Sequence, residues 1–178
     1  AKFVSKGAAH VTLSAPVREQ MVTFVLLPKF TMLAFSSAIE PLRMANQLTG
    51  QMLFKWQVLS DDGQPVACSN GVPIVVDGPW SEVQPEGLIL VISGVEPEGK
   101  ASGALGDWLR GLWRRGRIVG GLCTGAYALA TAGILKGRRF TLHWDNIPAF
   151  AELHPDLPPA RQVFCVDDRV MSCAGGVA

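Results

Sequence analysis

Two stretches, Met21-Val22-Thr23-Phe24-Val25-Leu26-Leu27 and Leu88-Ile89-Leu90-Val91-Ile92, are apolar and rich in β-branched residues with no polar phase. Side chains alternate between the two faces of a strand, so strands of this kind must be covered on both sides. Each is followed by a stretch with helical periodicity. From Thr31 to Leu48 the apolar residues Leu33, Ala34, Ile39, Leu42, Ala45 and Leu48 fall mostly on one face, with Gly50 as a stop. A second amphipathic pattern runs from about Ala101 to Arg115, and a third apolar run, Arg117 to Leu122, leads into the helix-like run Ala126 to Leu135. Strand and helix in alternation predict an α/β fold: a mostly parallel sheet with helices on both faces.

The remaining elements are shorter. Pro41 lacks an amide and crowds the preceding turn, so the first helix is expected either to kink near Ala38 or to begin again close to Glu40. Trp56 to Ser60, Val72 to Val76 and Arg139 to Leu142 read as short strands, and a short helix follows His143 as far as Leu153. Gln162 to Cys173 reads as a hairpin with Asp167-Asp168 at its tip. A chain of 178 residues, 48% of them hydrophobic, holds one compact core. The expected organisation is a loose N-terminal arm over residues 1–19 and one domain over 20–178.

Charge and cysteine usage exclude several functions. Lys+Arg 16 against Asp+Glu 15 leaves a formal charge of +1, and Arg110, Arg114, Arg115 and Arg117 read as a solvated helix end, not a phosphate-binding stripe. Cys68, Cys123, Cys165 and Cys173 form no CxxC pair and lie at no zinc-finger spacing from a histidine, so neither a metal site nor a disulfide framework is expected. This usage fits a reducing cytoplasm. No apolar run approaches the roughly 18 residues of a membrane span, and Ala1 to His10 lacks the apolar core of a signal peptide. No cofactor motif is present.

The chemistry concentrates at Gly121-Leu122-Cys123-Thr124-Gly125. A strand turning sharply into a helix needs small residues on both sides, and the apical side chain, here a thiol, is pushed out above the sheet. Ligands of open parallel sheets gather outside the carboxyl ends of the strands. Three such ends are readable, at Leu27-Pro28-Lys29-Phe30, Ser93-Gly94-Val95 and Cys123-Thr124, and they define one crevice if the strands are neighbours. His143 lies 20 residues after Cys123 by a path that can return to the neighbouring strand end, and Glu40 faces the same crevice if its helix starts just before it. Trp144, with Trp80 and Phe35, offers aromatic faces to a quaternary ammonium group.

Phe30-Thr31-Met32 leading to Ile39-Glu40-Pro41-Leu42-Arg43-Met44-Ala45-Asn46, then Gly121 to Tyr127 with Ala132-Gly133-Ile134-Leu135, then Thr141-Leu142-His143-Trp144 and Ser172-Cys173-Ala174-Gly175-Gly176 occur in order. Together they resemble the amino-terminal domain of AraC-family transcription regulators whose sensor has the ThiJ/PfpI, class I amidotransferase-like fold. The resemblance implies a flavodoxin-like three-layer sandwich with a nucleophile-elbow turn at Cys123. It also implies an effector-sensing domain, followed in the intact regulator by helix-turn-helix units that this chain lacks. The Glu-Pro-Leu-Arg and Leu-His-Trp wording is most similar to regulators responding to carnitine, betaines or arginine-type amino acids.

The expected ligand is thus a small quaternary amine or amino acid held by Glu40, Gly94, Val95, Cys123, Thr124, His143 and Trp144. The amides near Gly94, Val95 and Thr124 would meet its carboxylate. The expected partners are this effector, a second copy in a homodimer, and DNA only through the absent C-terminal domain, with no membrane. The alternative is a ThiJ/PfpI-type cysteine hydrolase or hydratase using Cys123 with His143 or Glu40 as proton carrier. Against it, Thr124 stands where enzymes of that group commonly carry histidine, and the amidotransferase His-x-Glu far downstream of the cysteine is missing, His143-Trp144-Asp145 offering only a His-x-Asp whose Asp145 would sit in the first turn of the next helix. A third possibility is a redox sensor in which Glu40 stabilises an oxidised Cys123.

Overall fold

The apolar runs become neighbouring strands because each needs cover on both faces. The computed structural model describes residues 18–175. In chain order the elements are β1 (Gln20–Leu26), α1 (Met32–Thr49), β2 (Phe54–Ser60), β3 (Val66–Ala67), β4 (Pro73–Ile74), β5 (Gly78–Pro79) and β6 (Leu88–Ile92). Then follow α2 (Gly103–Arg114), β7 (Val119–Leu122), α3 (Ala126–Thr131), α4 (Ile147–Leu153), β8 (Phe164–Asp167) and β9 (Val170–Cys173). Seven strands form one sheet in the order β5-β2-β1-β6-β7-β9-β8, parallel except for β8 against β9. β3 and β4 form a separate antiparallel pair.

The two phases of the central strands supply two cores. Val22, Phe24 and Leu26 of β1 and Leu90 and Ile92 of β6 join Ala34 and Phe35 of α1 on one side. Val25, Ile89 and Val91 join Leu105, Leu109 and Leu112 of α2 and Ala126, Ala128 and Leu129 of α3 on the other. Fully burying a side chain such as Phe24 or Ile89 contributes about 1.5–3 kcal/mol each, so the central strands carry much of the fold's stability.

Several expectations are corrected. α1 runs unbroken with Pro41 inside it, so no new helix begins at Glu40. Ser37, whose carbonyl Pro41 leaves without a helical donor, is on the exposed side, where water can serve that carbonyl. The helix expected to reach Leu135 stops at Thr131, because Gly133 is left-handed (φ 68) and the amides of Gly133 and Ile134 turn back to Ala130 and Leu129. Of the strand expected over Val72 to Val76 only Pro73–Ile74 is formed, apart from the main sheet, since a proline cannot donate to a ladder.

Arg139 to Leu142 is not a strand. Both edges of β9 are taken, by β7 and β8, so side chains hold this segment instead: Ser172 Oγ accepts the Thr141 amide (2.9 Å) and Asp167 Oδ2 the Arg139 amide (2.7 Å). Nor do all four arginines form a solvated helix end. Arg114 and Arg115 are exposed, but Arg117 donates to the carbonyls of Gln84, Pro85, Glu86 and Gly87 at 2.7–3.0 Å, and Arg110 donates to Ala132. The hairpin with its tip at Asp167-Asp168 is formed. The arm over residues 1–19 lies, apart from Arg18 and Glu19, outside the described residues, as does Gly176. No helix among the described residues is long and apolar enough to cross a membrane.

Candidate functional site

β1, β6 and β7 are adjacent, so the three strand ends do meet at one edge of the sheet. The elbow is built by glycines. A Cβ on Gly121 would lie 2.6 Å from the carbonyl carbon of Gly125, and one on Gly125 would lie 2.2 Å from the Val91 carbonyl oxygen. This closeness forces Cys123 at the apex into the left-handed region, φ 59, which a side chain adopts only under constraint. The loops from β1 and β6 are laced to it. Thr124 Oγ1 donates to the Gly94 carbonyl (2.8 Å), the Val95 amide donates to the Lys29 carbonyl (3.1 Å), and Phe30 bridges Gly94.

The thiol is 4% exposed and belongs to the apolar cluster that includes Phe24, Phe30 and Phe35. Its side-chain partner is Thr31, whose Oγ1 lies 3.4 Å from Sγ. Thr31 occupies the N-cap position of α1 yet its side chain makes no cap hydrogen bond; its hydroxyl lies against the sulfur instead. Burial pushes the Cys123 thiol above its ordinary range, the Thr31 hydroxyl and Thr124 amide draw it partly back, and nearby Cys173 raises it again.

The raised pKa fixes a sign. The folded state holds this proton more tightly than the unfolded chain, so the stability it contributes is complete below the unfolded thiol's pKa. That stability is lost as pH rises through the folded one. At pH 7, Cys123 is therefore expected to react with iodoacetamide at least about tenfold more slowly than in urea-unfolded chain, as followed by peptide mass spectrometry. Equal rates in the two states would contradict a protonated, shielded thiol.

The other expected residues divide. His143 returns to the elbow through its backbone, its amide donating to the Cys123 carbonyl (3.0 Å). Its imidazole stacks on Trp144 (ring centroids 4.2 Å apart), with Nδ1 3.8 Å from Asp145 Oδ2. Among the described residues the Thr31 hydroxyl, and not the imidazole, is within hydrogen-bonding distance of the thiol. Gly94 and Thr124 are at the crevice, but the Val95 amide is already bonded to Lys29.

Glu40 does not reach the crevice. It lies in the interior of α1, on the opposite side from Ala34, Ala38 and Leu42, and pairs with Arg43 (2.7 Å). The aromatic trio is also dispersed. Phe35 is in the α1 core beside Phe24 and Phe30, Trp80 packs at a tilt against Trp108, and Trp144 is 63% exposed. Trp144 instead borders a cavity of about 710 Å³ with Ile147, Pro148, Arg161, Val163 and Ala174, a space that does not include the thiol.

Three side chains at this edge have no role in the sequence reading: Thr31, Glu96 and Lys29, the last named there only as part of a strand end. Lys29 (φ 61) and Glu96 (φ 54) are left-handed without being glycine, and they pair at 2.5 Å. That ion pair holds the Glu96 carboxyl below the usual carboxylate range. A lysine and a glutamate 67 residues apart announce no pairing; only the loop geometry does. Among the described residues no group of three or more His, Cys, Asp or Glu is placed to hold a metal ion.

Comparison with known proteins agrees with this architecture. The model of the DJ-1/PfpI family matches residues 21–172. The HTH-type transcriptional regulator CdhR of Pseudomonas aeruginosa is 44% identical over 155 residues, covering 87% of this chain and 46% of that protein. The HTH-type transcriptional regulator GbdR of the same species is 36% identical over 159 residues, covering 89% and 43%. The chain therefore spans less than half the length of these relatives. The crystal structure of an AraC family transcriptional regulator from Pseudomonas putida superimposes with a TM-score of 0.79 at 28% identity, covering 88% of this chain and 84% of that one.

Proposed function

The chain belongs to the DJ-1/PfpI family, and on that premise we propose that it is the effector-sensing part of a transcription regulator. It binds a small amine or amino acid at the crevice above Cys123 and passes the occupancy of that crevice to a DNA-binding part of the same protein. The observation that carries this reading is the coverage. Regulators described as HTH-type match nearly all of this chain with less than half of themselves, which supports reading the shared portion as the sensor and the DNA-reading portion as lying elsewhere. The working unit in this reading is a cytoplasmic homodimer, in which a ligand favouring one arrangement of the two copies biases DNA contact.

The chemistry at the elbow favours binding over turnover. A buried thiol with a raised pKa is mostly protonated at neutral pH and so a poor nucleophile, and its hydroxyl partner does not act as a base. Binding without consumption is the expected result. Calorimetry of the purified chain with glycine betaine, carnitine and arginine should give saturable heat for at least one of them, with the ligand recovered unchanged by NMR. Blank titrations across the panel would overturn the effector class, and loss of ligand with time would move the assignment to the cysteine hydrolase.

A further inference from the structure

Four residues other than glycine are left-handed among the described residues, and three of them, Lys29, Glu96 and Cys123, follow the adjacent strands β1, β6 and β7. The fourth, Asp168, sits in the β8–β9 hairpin turn, where such a backbone is ordinary. A residue with a Cβ takes this conformation at a steric cost that glycine avoids, and such costs gather where a side chain has to be presented. The loops presenting Lys29 and Glu96 are fixed to each other through the Val95 amide on the Lys29 carbonyl and the Phe30–Gly94 bridge. No Cβ fits at Gly94, since it would lie 2.4 Å from the Lys29 carbonyl oxygen. The two charged side chains therefore rise from loops whose backbones are held together.

We propose that Lys29 and Glu96 are the two ends of a zwitterion clamp: a ligand bearing a carboxylate and a cationic nitrogen opens their ion pair, its carboxylate meeting Lys29 and its cation meeting Glu96. This rests on the reading of the crevice as an effector site and names the charges that read the effector. Two features support it. The pair is about half exposed on each side, and exposed ion pairs contribute little to stability, so opening it costs the protein little. Neither residue has another ion-pair partner among the described residues, although the charge of Lys100 also reaches Glu96, so a ligand with both charges satisfies both, whereas a simple cation or anion would leave one of them unpaired. With the Val95 amide already bonded and Glu40 on the outer face of α1, away from the strand ends, these two groups expected from the sequence do not supply this recognition.

The test is titration calorimetry of wild type, Lys29→Met and Glu96→Gln with glycine betaine, a zwitterion, and with choline, a cation without a carboxylate. Melting temperatures should be unchanged, because both side chains are exposed. Glycine betaine should bind wild type and weaken about tenfold in each variant. Choline should bind Lys29→Met more tightly than wild type, because Glu96 is then released from its internal partner, a gain that a merely structural ion pair would not give. Undiminished binding of glycine betaine in both variants overturns the clamp alone. Failure of wild type to bind glycine betaine, with carnitine or arginine binding equally to wild type and variants, also overturns the clamp alone, and silence from all three overturns the effector reading with it.

Discussion

Gly125→Ala is expected to lower the melting temperature sharply, the largest effect of any single methyl group in this chain's elbow. The added Cβ would lie 2.2 Å from the Val91 carbonyl oxygen, 2.8 Å from the Leu122 nitrogen and 2.9 Å from the Gly121 Cα. All three are backbone atoms at the ends of adjacent central strands, so no rotamer change relieves the clash, and either β6 or β7 must shift. Overpacking in a well-packed core costs about 1–3 kcal/mol where side chains can yield, and a backbone clash falls at or beyond the upper end. Against a total stability of about 5–15 kcal/mol that is a large fraction. The control is Gly103→Ala, at the start of α2, where an added Cβ meets nothing within 4 Å. It should express and melt like wild type. A Gly125→Ala melting curve superimposable on that control would show that the elbow has room and that the glycines are not what sets its shape.

The strand ends that frame this elbow were readable because hydrophobic pattern is a local property. β1, β6 and β7 lack a polar phase, and their adjacency follows from the need to cover both faces. Where the sequence reading failed, the deciding term was not local. Glu40 seemed to face the crevice only while Pro41 was taken to restart the helix; once α1 begins at Met32, the helical period carries Glu40 to the outer face. Gly133 did carry a stop signal for α3, but the apolar Ile134-Leu135 that follows masked it; both are buried after the turn. Thr31 is legible only as the start of the helical pattern, and nothing in its neighbours says that its hydroxyl lies against a sulfur 92 residues away. The Lys29–Glu96 pair depends on two left-handed backbones that no propensity predicts for lysine or glutamate.

Phe150→Ala should produce the second large effect, by loosening the segment that returns His143 to the elbow. Phe150 is the fully buried residue of α4, a helix of seven residues, too short to persist without packing. Its ring meets Tyr127 edge-on at 4.9 Å, Phe140 at 5.5 Å and His154 at 4.8 Å, so truncation leaves a cavity lined by rigid rings that cannot collapse into it. Such truncations cost about 3–5 kcal/mol, which in a domain of this size lowers the melting temperature by about 10 °C. Trp144→Ala, by contrast, removes a mostly exposed ring and should shift stability by no more than about 0.5 kcal/mol, although the two residues belong to the same turn and helix. Amide hydrogen exchange locates the damage: in Phe150→Ala the His143 amide, bonded to the Cys123 carbonyl, should lose protection together with α4, while β1 and β6 keep theirs. A melting shift under about 2 °C with α4 still protected would mean that the turn is held by the Thr141 and Arg139 hydrogen bonds to the β8–β9 hairpin, and that this aromatic cluster is not its anchor.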